Sequence, residues 1–413
     1  MKVLFVVQGE GRGHLTQAIA MEDLLRREGH EVVEVLVGKS DARHLPGFFN
    51  RSIHAPVKRF LSPNFLPTPA NKRAHLTRSV VYNVLRLPTY LRSIVYIRRR
   101  IRESGADLVI NFYELLTGLT YLLLRPSVPQ VSIGHQYLFL HRDFEFPPFA
   151  APIGMPDRNR VEGPGAELRT LCRRISLFPL YVAYSASMAS LRLFTRITAI
   201  GAKAKLALSF REMPDDEEAG IHVVPPLLRR EVLNCKGTPG NYLHGYMVNA
   251  GFGENVMQWH QAHPDVPLHF FWDKKDVEEV YRVDDTLTFH QLDDIEFLRY
   301  MSGCRAYATT AGFESVCEAM LLGKPLLMVP AHIEQDCNAH DAARTGAGIV
   351  SDDFDLGRLL EFSERYTPNP AFAQWVASCG PRIIHRIEDA INGAHINSAP
   401  LPSPYCNMTD TGL

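Results

Sequence analysis

Short apolar runs alternate with helical patterns along the first half of the chain. The first run is KVLFVV at residues 2–7, and the spacing of apolar residues over 14–28 predicts a helix. Further apolar runs predict strands at residues 32–37, 107–112 and 128–133. Strands that alternate with helices are typical of a parallel sheet. The pattern therefore predicts an α/β unit.

A second alternation of the same kind begins near residue 242. It predicts a further set of strands, at residues 242–252, 268–272, 287–289, 305–309 and 326–329. The stretch between the two alternations, VVPPLLRREVLNCKGTPGN, has the proline and glycine composition of a hinge. We therefore predict two α/β domains, each with a parallel sheet. The N-terminal domain comprises residues 1–228 and the C-terminal domain residues 241–392. A hinge at 229–240 joins them, and residues 393–413 form a loose tail.

Composition and charge narrow the function classes. A chain of 413 residues with 46% hydrophobic composition can bury two cores, and a formal net charge of -1 argues against a nucleic-acid binder. The seven cysteines are scattered singly, which favours neither a disulfide framework nor a zinc ribbon. The apolar run before Gln8 is too short for a signal peptide, and no run reaches bilayer length. We expect a cytoplasmic protein.

The first predicted strand leads into a glycine-rich loop, GEGRGH, at residues 9–14. Glycines at the start of a helix let backbone amides approach an anion or a substrate. The dinucleotide-binding fingerprint needs a glycine where this chain has His14, so that interpretation is disfavoured. The positive end of the helix opposes a charged imidazole and favours a neutral His14 that can accept a proton. A simple tight turn with a capping or core histidine is the alternative.

A second group of polar residues follows two neighbouring strands of the second domain. A loop of small residues at 310–312 opens a helix that carries Glu314 and Glu318 one turn apart on one face. The other face packs inward through Val316, Ala319 and Met320. The loop AHIEQD follows the next strand at the carboxyl edge of the sheet, where open α/β folds bind ligands. The alternative is a solvated acidic helix beside a polar loop.

These motifs resemble the two-domain glycosyltransferases of the GT-B fold, in the group that includes the bacterial lipid-II-forming N-acetylglucosaminyltransferase and the UDP-glycosyltransferases of plants and antibiotic producers. The chain resembles a group of uncharacterised microbial glycosyltransferase-like proteins even more closely, since they share patterns such as GFESVCEAMLLGKPLL followed by EQ. The resemblance covers most of the chain at motif level. It implies two Rossmann-like domains whose parallel sheets face each other across a cleft, and a nucleotide sugar as co-substrate.

The resemblance also implies roles for particular residues. Glu318 matches a ribose-binding glutamate, Glu334 and Gln335 match a pair that contacts sugar hydroxyls, and Arg229 lies in a run similar to one with a phosphate-contacting arginine. Pro330, Asn338 and Ala339 continue the match. Phe313 and Glu314 stand where the plant signature has tryptophan and asparagine. The implied donor site comprises Arg229, Gly251, Gly312, Phe313, Glu314, Ser315, Glu318, Glu334 and Gln335.

On the acceptor side, His14 matches the general base of the plant enzymes. Gly11 and Gly13 would line this side, and Asn111 and Glu114 are the residues available to orient the histidine. No motif indicates a metal site, so we expect backbone amides near Gly251 and Gly312, a helix dipole and Arg229 to neutralise the leaving group. The expected activity is inverting, metal-independent transfer of a sugar from UDP to a hydroxyl, with no other cofactor.

Two segments bear on the acceptor. Residues 72–102 mix lysine and arginine with apolar residues and contain no acid, which fits either a helix on the inner face of an anionic membrane or an ordinary amphipathic helix packed on its domain. Residues 175–194 are apolar, and we predict a core helix there, with part of an acceptor cleft as the alternative. A lipid-linked or cell-envelope acceptor fits these features.

Two other functions are compatible with the same motifs. A UDP-sugar 2-epimerase would keep the nucleotide site and consume no acceptor, and a non-catalytic sugar-nucleotide-binding protein would have no need of His14. The sugar itself is not determined, because epimers differ only in the direction of one hydroxyl.

Overall fold

The chain forms two sheets of seven strands each, seen in a computed structural model that describes residues 1–39, 45–63, 86–149, 166–248, 250–274 and 277–392. In the first sheet all neighbouring strands are parallel, in the order β3-β2-β1-β4-β5-β6-β7. Its strands are β1 Lys2–Gln8, β2 Glu31–Lys39, β3 Val57–Leu61, β4 Leu108–Phe112, β5 Gln130–Gly134, β6 Ala202–Leu208 and β7 Ile221–Val224.

The second sheet has the order β10-β11-β9-β8-β12-β13-β14 and is parallel except for β10. Its strands are β8 Leu243–Met247, β9 Leu268–Trp272, β10 Val280–Arg282, β11 Leu287–Gln291, β12 Ala306–Thr309, β13 Leu326–Met328 and β14 Gly348–Val350. We call each sheet with its helices a lobe, the N-lobe and the C-lobe. The predicted α/β class with two parallel sheets is confirmed.

Helices connect the parallel strands. The helices of the described residues are α1 Arg12–Arg27, α2 Gly47–Ser52, α3 Leu87–Ser104, α4 Leu115–Leu124, α5 Ala166–Thr198, α6 Arg230–Leu233, α7 Gly253–Ala262, α8 Asp294–Gly303, α9 Phe313–Leu321, α10 Ile333–Arg344, α11 Leu356–Arg365, α12 Pro370–Ala377 and α13 Cys379–Asn392. Apolar residues of the central strands are fully buried, as in β1, where Val3 to Val7 are 0% exposed. This burial explains why the strands read as unbroken apolar runs.

Among the parallel strands, the strand order changes direction once in each sheet. In the N-lobe the change lies between β1 and β4, and in the C-lobe it lies between β8 and β12. Loops that leave the carboxyl ends of such strands diverge and create a crevice, which is the usual ligand site of open α/β folds. The GEGRGH loop follows β1, and the loop of residues 310–312 follows β12. Both polar motifs therefore lie at these crevices.

The end of the C-lobe returns to the N-lobe. The indole Nε1 of Trp375 on α12 donates a hydrogen bond to the backbone oxygen of Ser209 (2.9 Å). The next helix, α13, packs against β6 and β7 of the first sheet. The predicted second domain, residues 241–392, includes this helix, so its last segment lies on the neighbouring sheet.

The predicted hinge begins inside a packed segment. Leu227, Leu228 and Val232 are buried, and residues 230–233 form the short helix α6. Only the part after this helix is exposed for most of its length. The domain limits remain a prediction.

The predicted core helix at residues 175–194 is wrong for the side chains that the structure describes. Residues 179–194 belong to α5, and they are largely solvent-exposed: Leu180 is 44%, Tyr181 53% and Val182 47% exposed. An apolar sequence predicts burial only when a neighbouring element covers it. Of the helices within the described ranges, none combines the length and apolarity needed to cross a membrane.

The basic segment at 72–102 is described only from residue 86 onward. Its helix α3 buries Tyr90, Ile94, Ile97 and Ile101 on the N-lobe. This packing agrees with an ordinary amphipathic helix. A second row of apolar side chains, Leu87, Leu91 and Val95, is 58%, 53% and 60% exposed. The rest of the segment lies outside the described residues.

Candidate active site

His14 lies in the first turn of α1, at the junction between the lobes. Its ring is 9% exposed, and it stacks on the ring of Tyr113, which follows β4 (centroids 5.5 Å apart). Burial lowers the pKa of His14, although the nearby carboxylate of Glu334 and a hydrogen bond with Gln17 oppose the shift. The histidine is therefore neutral near pH 7, as the sequence predicts, with burial as the main cause.

Gln17, one turn further along α1, joins His14 to the C-lobe. Its Oε1 lies 3.2 Å from Nδ1 of His14, and its Nε2 donates a hydrogen bond to Oε1 of Glu314 on α9. Burial and the neighbouring carboxylates raise the pKa of Glu314 to about 7. In the structure Glu314 thus contacts the acceptor side of the junction, although we predicted a place for it in the donor site.

Gln136 makes the matching contact on the other side of the imidazole. It lies in the helical turn His135–Leu140 after β5, and its Nε2 donates a hydrogen bond to Oε1 of Glu334 (2.8 Å). The same Nε2 lies 3.5 Å from Nε2 of His14, and Oε1 of Gln136 is buried with no hydrogen-bond partner among the described residues. A polar atom without a partner at this place is suited to receive a substrate hydroxyl.

Gly13 allows the lobes to approach each other. A Cβ added at Gly13 would collide with Oε2 of Glu314, whereas one added at Gly11 would meet no atom within 4 Å. The glycine at position 13 therefore makes room for a carboxylate of the opposite lobe. The tight-turn alternative does not account for this contact.

The backbone is strained at both crevices. Tyr113 after β4 has φ 58°, and Ala311 after β12 has φ 60°, in the left-handed region that residues other than glycine rarely adopt. Each is held by tertiary contacts: the hydroxyl of Tyr113 bonds that of Thr195 (2.7 Å), and the oxygen of Ala311 accepts a hydrogen bond from Asn338 (3.2 Å). Strain of this kind is concentrated at functional sites.

Asn111 and Glu114 do not contact His14, so the predicted orienting role is not supported. The Asn111 amide donates to the backbone oxygen of Thr198 (2.8 Å) and its oxygen accepts from the backbone of Glu114 (2.9 Å). Oε1 of Glu114 accepts hydrogen bonds from the Ser62 hydroxyl (2.5 Å) and the Leu116 amide (3.1 Å). Both side chains are used inside the N-lobe, where they hold the turn between β4 and α4.

Glu114 provides a test of stability against pH. It is 0% exposed, its Oε2 has no hydrogen-bond partner in the part of the chain that the structure describes, and burial raises its pKa from 4.5 to about 7. Between these values the folded chain holds the proton that the unfolded chain has lost, so this group makes the fold less stable as pH rises. In the wild type, the free energy of unfolding should therefore decrease between about pH 5 and pH 8. We expect this decrease to be smaller in Glu114→Gln by about 2–3 kcal/mol, because the glutamine does not titrate.

Urea unfolding of both proteins at several pH values measures this difference. Glu296→Gln on the exposed face of α8 is the control, because Glu296 pairs with Arg299 in water. Parallel pH profiles for the wild type and Glu114→Gln would contradict the prediction.

Glu318 on α9 is 4% exposed and pairs with Arg229, whose Nη2 lies 3.2 Å from its Oε1. Arg229 is itself buried and also lies 3.6 Å from Asp294 on α8. Burial raises the pKa of Glu318, and the guanidinium opposes that shift. The two residues that we predicted to bind ribose and phosphate are thus neighbours at one place in the C-lobe.

The loops that carry Gly251 and Gly312 lie side by side, because the amide of Val248 donates to the Thr310 hydroxyl (3.3 Å). Gly312 is the N-cap residue of α9, and no side chain of the described residues is seen to cap this helix. The Ser315 hydroxyl bonds the oxygen of Gly312 (3.2 Å). An uncapped helix N-terminus offers amide groups to an anion.

Two other predicted donor residues have structural contacts here. The ring of Phe313 stacks on His135 of the N-lobe (centroids 4.1 Å apart), so it forms part of the contact between the lobes. Oε1 of Gln335 accepts a hydrogen bond from the amide of Ala331 (2.9 Å), which holds the loop between β13 and α10.

Gln17, Tyr113 and Gln136 were not among the site residues predicted from the sequence. The position of Gln17 three residues after His14 was a usable signal, since such residues share a helix face. Tyr113 and Gln136 lie after other strands and reach His14 only through the sheet order. Their part in the site followed from no local pattern.

Known proteins support the fold and the enzyme class. Residues 177–367 match the model of glycosyl transferase family 1. No curated protein matches the chain significantly. Among solved structures, the glycotransferase of kitacinnamycin is 15% identical, with a TM-score of 0.55 over 94% of this chain and 97% of that chain. MurG of Acinetobacter baumannii is 15% identical, with a TM-score of 0.51 over 94% and 99%.

A plant protein has a similar structure. Arabidopsis thaliana UGT89C1 complexed with UDP-L-rhamnose is 13% identical, with a TM-score of 0.55 over 95% of this chain and 98% of that chain. Similarity at this level of identity shows the fold, and the family match over residues 177–367 shows the class of enzyme. The chain is a glycosyltransferase of the GT-B fold, and the region that matches the model of glycosyl transferase family 1 contains both β12 and α9.

Proposed function

We propose that the protein transfers a sugar from UDP to an acceptor hydroxyl with inversion and without a divalent metal. The observation that carries this proposal is the position of His14, a buried neutral histidine of the N-lobe that lies between Glu314 and Glu334 of the C-lobe through two glutamine side chains. A base on one lobe thus faces the helices that follow β12 and β13 on the other. This arrangement suits a reaction between two substrates held by opposite lobes.

The donor would bind to the C-lobe. Glu318 can accept hydrogen bonds from the two ribose hydroxyls, and its pairing with Arg229 keeps the carboxylate in place. Glu334 can accept hydrogen bonds from sugar hydroxyls in place of the Gln136 amide that it binds in this structure. Gln335 shapes the same loop.

The leaving diphosphate needs positive charge. The amides at the N-terminus of α9, together with the loop of Gly251 beside it, lie where backbone groups can bind a phosphate. Arg229 adds a buried guanidinium next to Glu318. These groups support neutralisation by the protein itself, which is why we propose a reaction that needs no divalent ion.

The chemical step follows from this arrangement. Nε2 of His14 takes the proton of the acceptor hydroxyl. At the same time the hydroxyl oxygen of the acceptor forms a bond to the anomeric carbon of the donor. The bond from that carbon to the diphosphate oxygen breaks, and its electron pair leaves with the nucleotide. Attack from the side opposite the leaving group inverts the anomeric centre, and general-base assistance of this kind contributes roughly 10²–10⁴-fold.

The exposed part of α5 supports a lipid-linked acceptor. The C-terminal end of α5 contacts the site, since Thr195 bonds Tyr113, which stacks on His14. From there the helix runs outward to the exposed Tyr181, about 21 Å away at the rise of an α-helix. An apolar surface that begins next to His14 suits an acceptor with a hydrocarbon chain.

The exposed row on α3 extends this proposal to the membrane. Leu87, Leu91 and Val95 project from a helix that also carries several arginines. A surface of this type binds anionic lipids weakly and reversibly. We propose a protein that works at the cytoplasmic face of a membrane.

A screen of nucleotide sugars tests the proposed donor. We expect UDP-sugars to raise the melting temperature more than GDP- or dTDP-sugars, because a bound donor stabilises the folded state by mass action. The stabilising donor is then offered an alkyl-tailed acceptor alcohol and a tail-less one. We expect UDP release with the tailed acceptor, equally with and without EDTA.

Each part of the proposal has its own contrary result. Turnover that stops in EDTA and returns with manganese or magnesium would contradict metal independence. An epimerised UDP-sugar formed without acceptor would favour the epimerase, and donor binding with no product of either kind would favour a non-catalytic protein. Equal rates with both alcohols would contradict the apolar acceptor.

A further inference from the structure

Five side chains form a continuous polar row through the junction of the lobes. The order is Glu314, Gln17, His14, Gln136, Glu334, with a carboxylate of the C-lobe at each end. Gln17 is 1% exposed, so its amide has no access to bulk water. Its hydrogen bonds must be made within this row.

The carboxylate at one end sets the direction of every bond near it. An ionised carboxylate only accepts, so Glu314 requires the NH2 group of Gln17 to face it. The oxygen of Gln17 then faces Nδ1 of His14 at 3.2 Å, and an oxygen there requires a proton on Nδ1. Nε2 is left as the acceptor, and the NH2 group of Gln136 lies 3.5 Å from it.

We propose that Glu314, acting through Gln17, is a positioning residue that holds His14 in the tautomer with the proton on Nδ1, and does so only when the two lobes are together. The proposal rests on the proposed role of His14 as the base. It gives Glu314 a task outside the donor site in which the resemblance placed it. Because the two ends belong to different lobes, closure itself prepares the base.

The same row has a second arrangement when Glu314 carries a proton. A protonated Glu314 can donate to the oxygen of Gln17, and the rotated amide then presents its NH2 group to Nδ1 and places the ring proton on Nε2. The pKa of Glu314 is raised to about 7, so this change falls in a measurable range. The other titratable groups that face His14 are Glu334 on α10 and the phenol of Tyr113.

The first test compares two buried glutamines of the N-lobe. Gln17→Leu removes the acceptor of the Nδ1 proton, and Gln130→Leu removes a glutamine that is 0% exposed at the opposite end of β5. We expect kcat/KM to fall about 10–100-fold in the first and to stay within about 2-fold in the second, with UDP affinity unchanged in both. We also expect kcat/KM of the wild type to rise with pH through about 7 and this rise to disappear in Glu314→Gln, which keeps an accepting oxygen.

A charge swap separates positioning from folding. Gln17→Glu alone places two carboxylates side by side and is expected to lose activity. Gln17→Glu combined with Glu314→Gln restores a set of compatible donors and acceptors. In this double variant, His14 and the amide at position 314 both donate hydrogen bonds to the carboxylate at position 17. We expect the double variant to recover at least about 10-fold in kcat/KM over the single variant, a coupling that independent sites do not show.

Nitrogen NMR of the His14 ring, in protein labelled on histidine and saturated with UDP, tests the tautomer without any activity. We expect Nδ1 protonated in the wild type at about pH 8 and a mixture of tautomers in Gln17→Leu. A proton on Nε2 in the wild type, or a ring unaffected by Gln17→Leu, would overturn the proposal. If no sugar is transferred but the tautomer responds as expected, the proposed function fails while the positioning holds.

Discussion

His14→Ala is expected to lower kcat by about 10²- to 10⁴-fold while UDP affinity stays nearly unchanged. The base is lost with the imidazole, whereas the residues proposed to hold the nucleotide, Glu318 and Arg229, pair with each other elsewhere in the C-lobe. Stopped-time assays of UDP release give kcat, and calorimetry with UDP gives the affinity.

A second buried histidine, His141, provides the control for the effect of a lost imidazole ring on the stability of the fold. His141 is 3% exposed and its Nε2 bonds the backbone oxygen of Pro214 (2.9 Å), away from the polar row. We expect His141→Ala to lose stability and to keep kcat per folded molecule. Normal turnover in His14→Ala, or a loss of UDP binding in proportion to its rate, would make His14 a structural or phosphate-contacting residue.

Glu318→Ala should weaken UDP binding by about 1.5–3 kcal/mol for each ribose hydrogen bond lost, measured by calorimetry. The structure adds a second effect, because the variant leaves Arg229 buried beside Asp294 without its nearer partner. Breaking a buried pair from one side costs about 3–5 kcal/mol, so the melting temperature should also fall.

A double variant separates the two effects. Glu318→Leu with Arg229→Met replaces both charges with apolar groups of similar size, which is often neutral for stability. We expect this variant to recover much of the melting temperature and to remain weak in UDP binding. Unchanged UDP affinity in Glu318→Ala would rule out the ribose role.

The core of both sheets was predictable from the chain alone. Central strands of a parallel sheet are buried on both faces, so they appear as apolar runs, and the runs at residues 2–7, 268–272 and 306–309 all correspond to strands. The pattern missed β3, β6, β7, β10 and β14, and all of these except β6 lie at an edge of their sheet. Edge strands have partly exposed faces and a weaker apolar signal.

The apolar pattern failed on α5 for a related reason. Hydrophobic composition shows that a segment gains by burial, but the covering element is a matter of tertiary structure. Helix α13 is a second case in which tertiary structure decides, because it follows the second sheet in the chain but packs on the first sheet. Neither outcome has a local signature.

The places of the polar motifs followed from the chain alone, because glycine loops and carboxylates at strand ends are local patterns. It placed His14 at a helix start and Glu318 in a helix after Gly312, and both positions are confirmed. The partners of these residues depend on the tertiary structure, in which His14 contacts Gln17 and Gln136 rather than Asn111 or Glu114. The reason is that hydrogen bonds between lobes depend on the distance and direction of groups hundreds of residues apart in the chain, which no spacing of residues encodes.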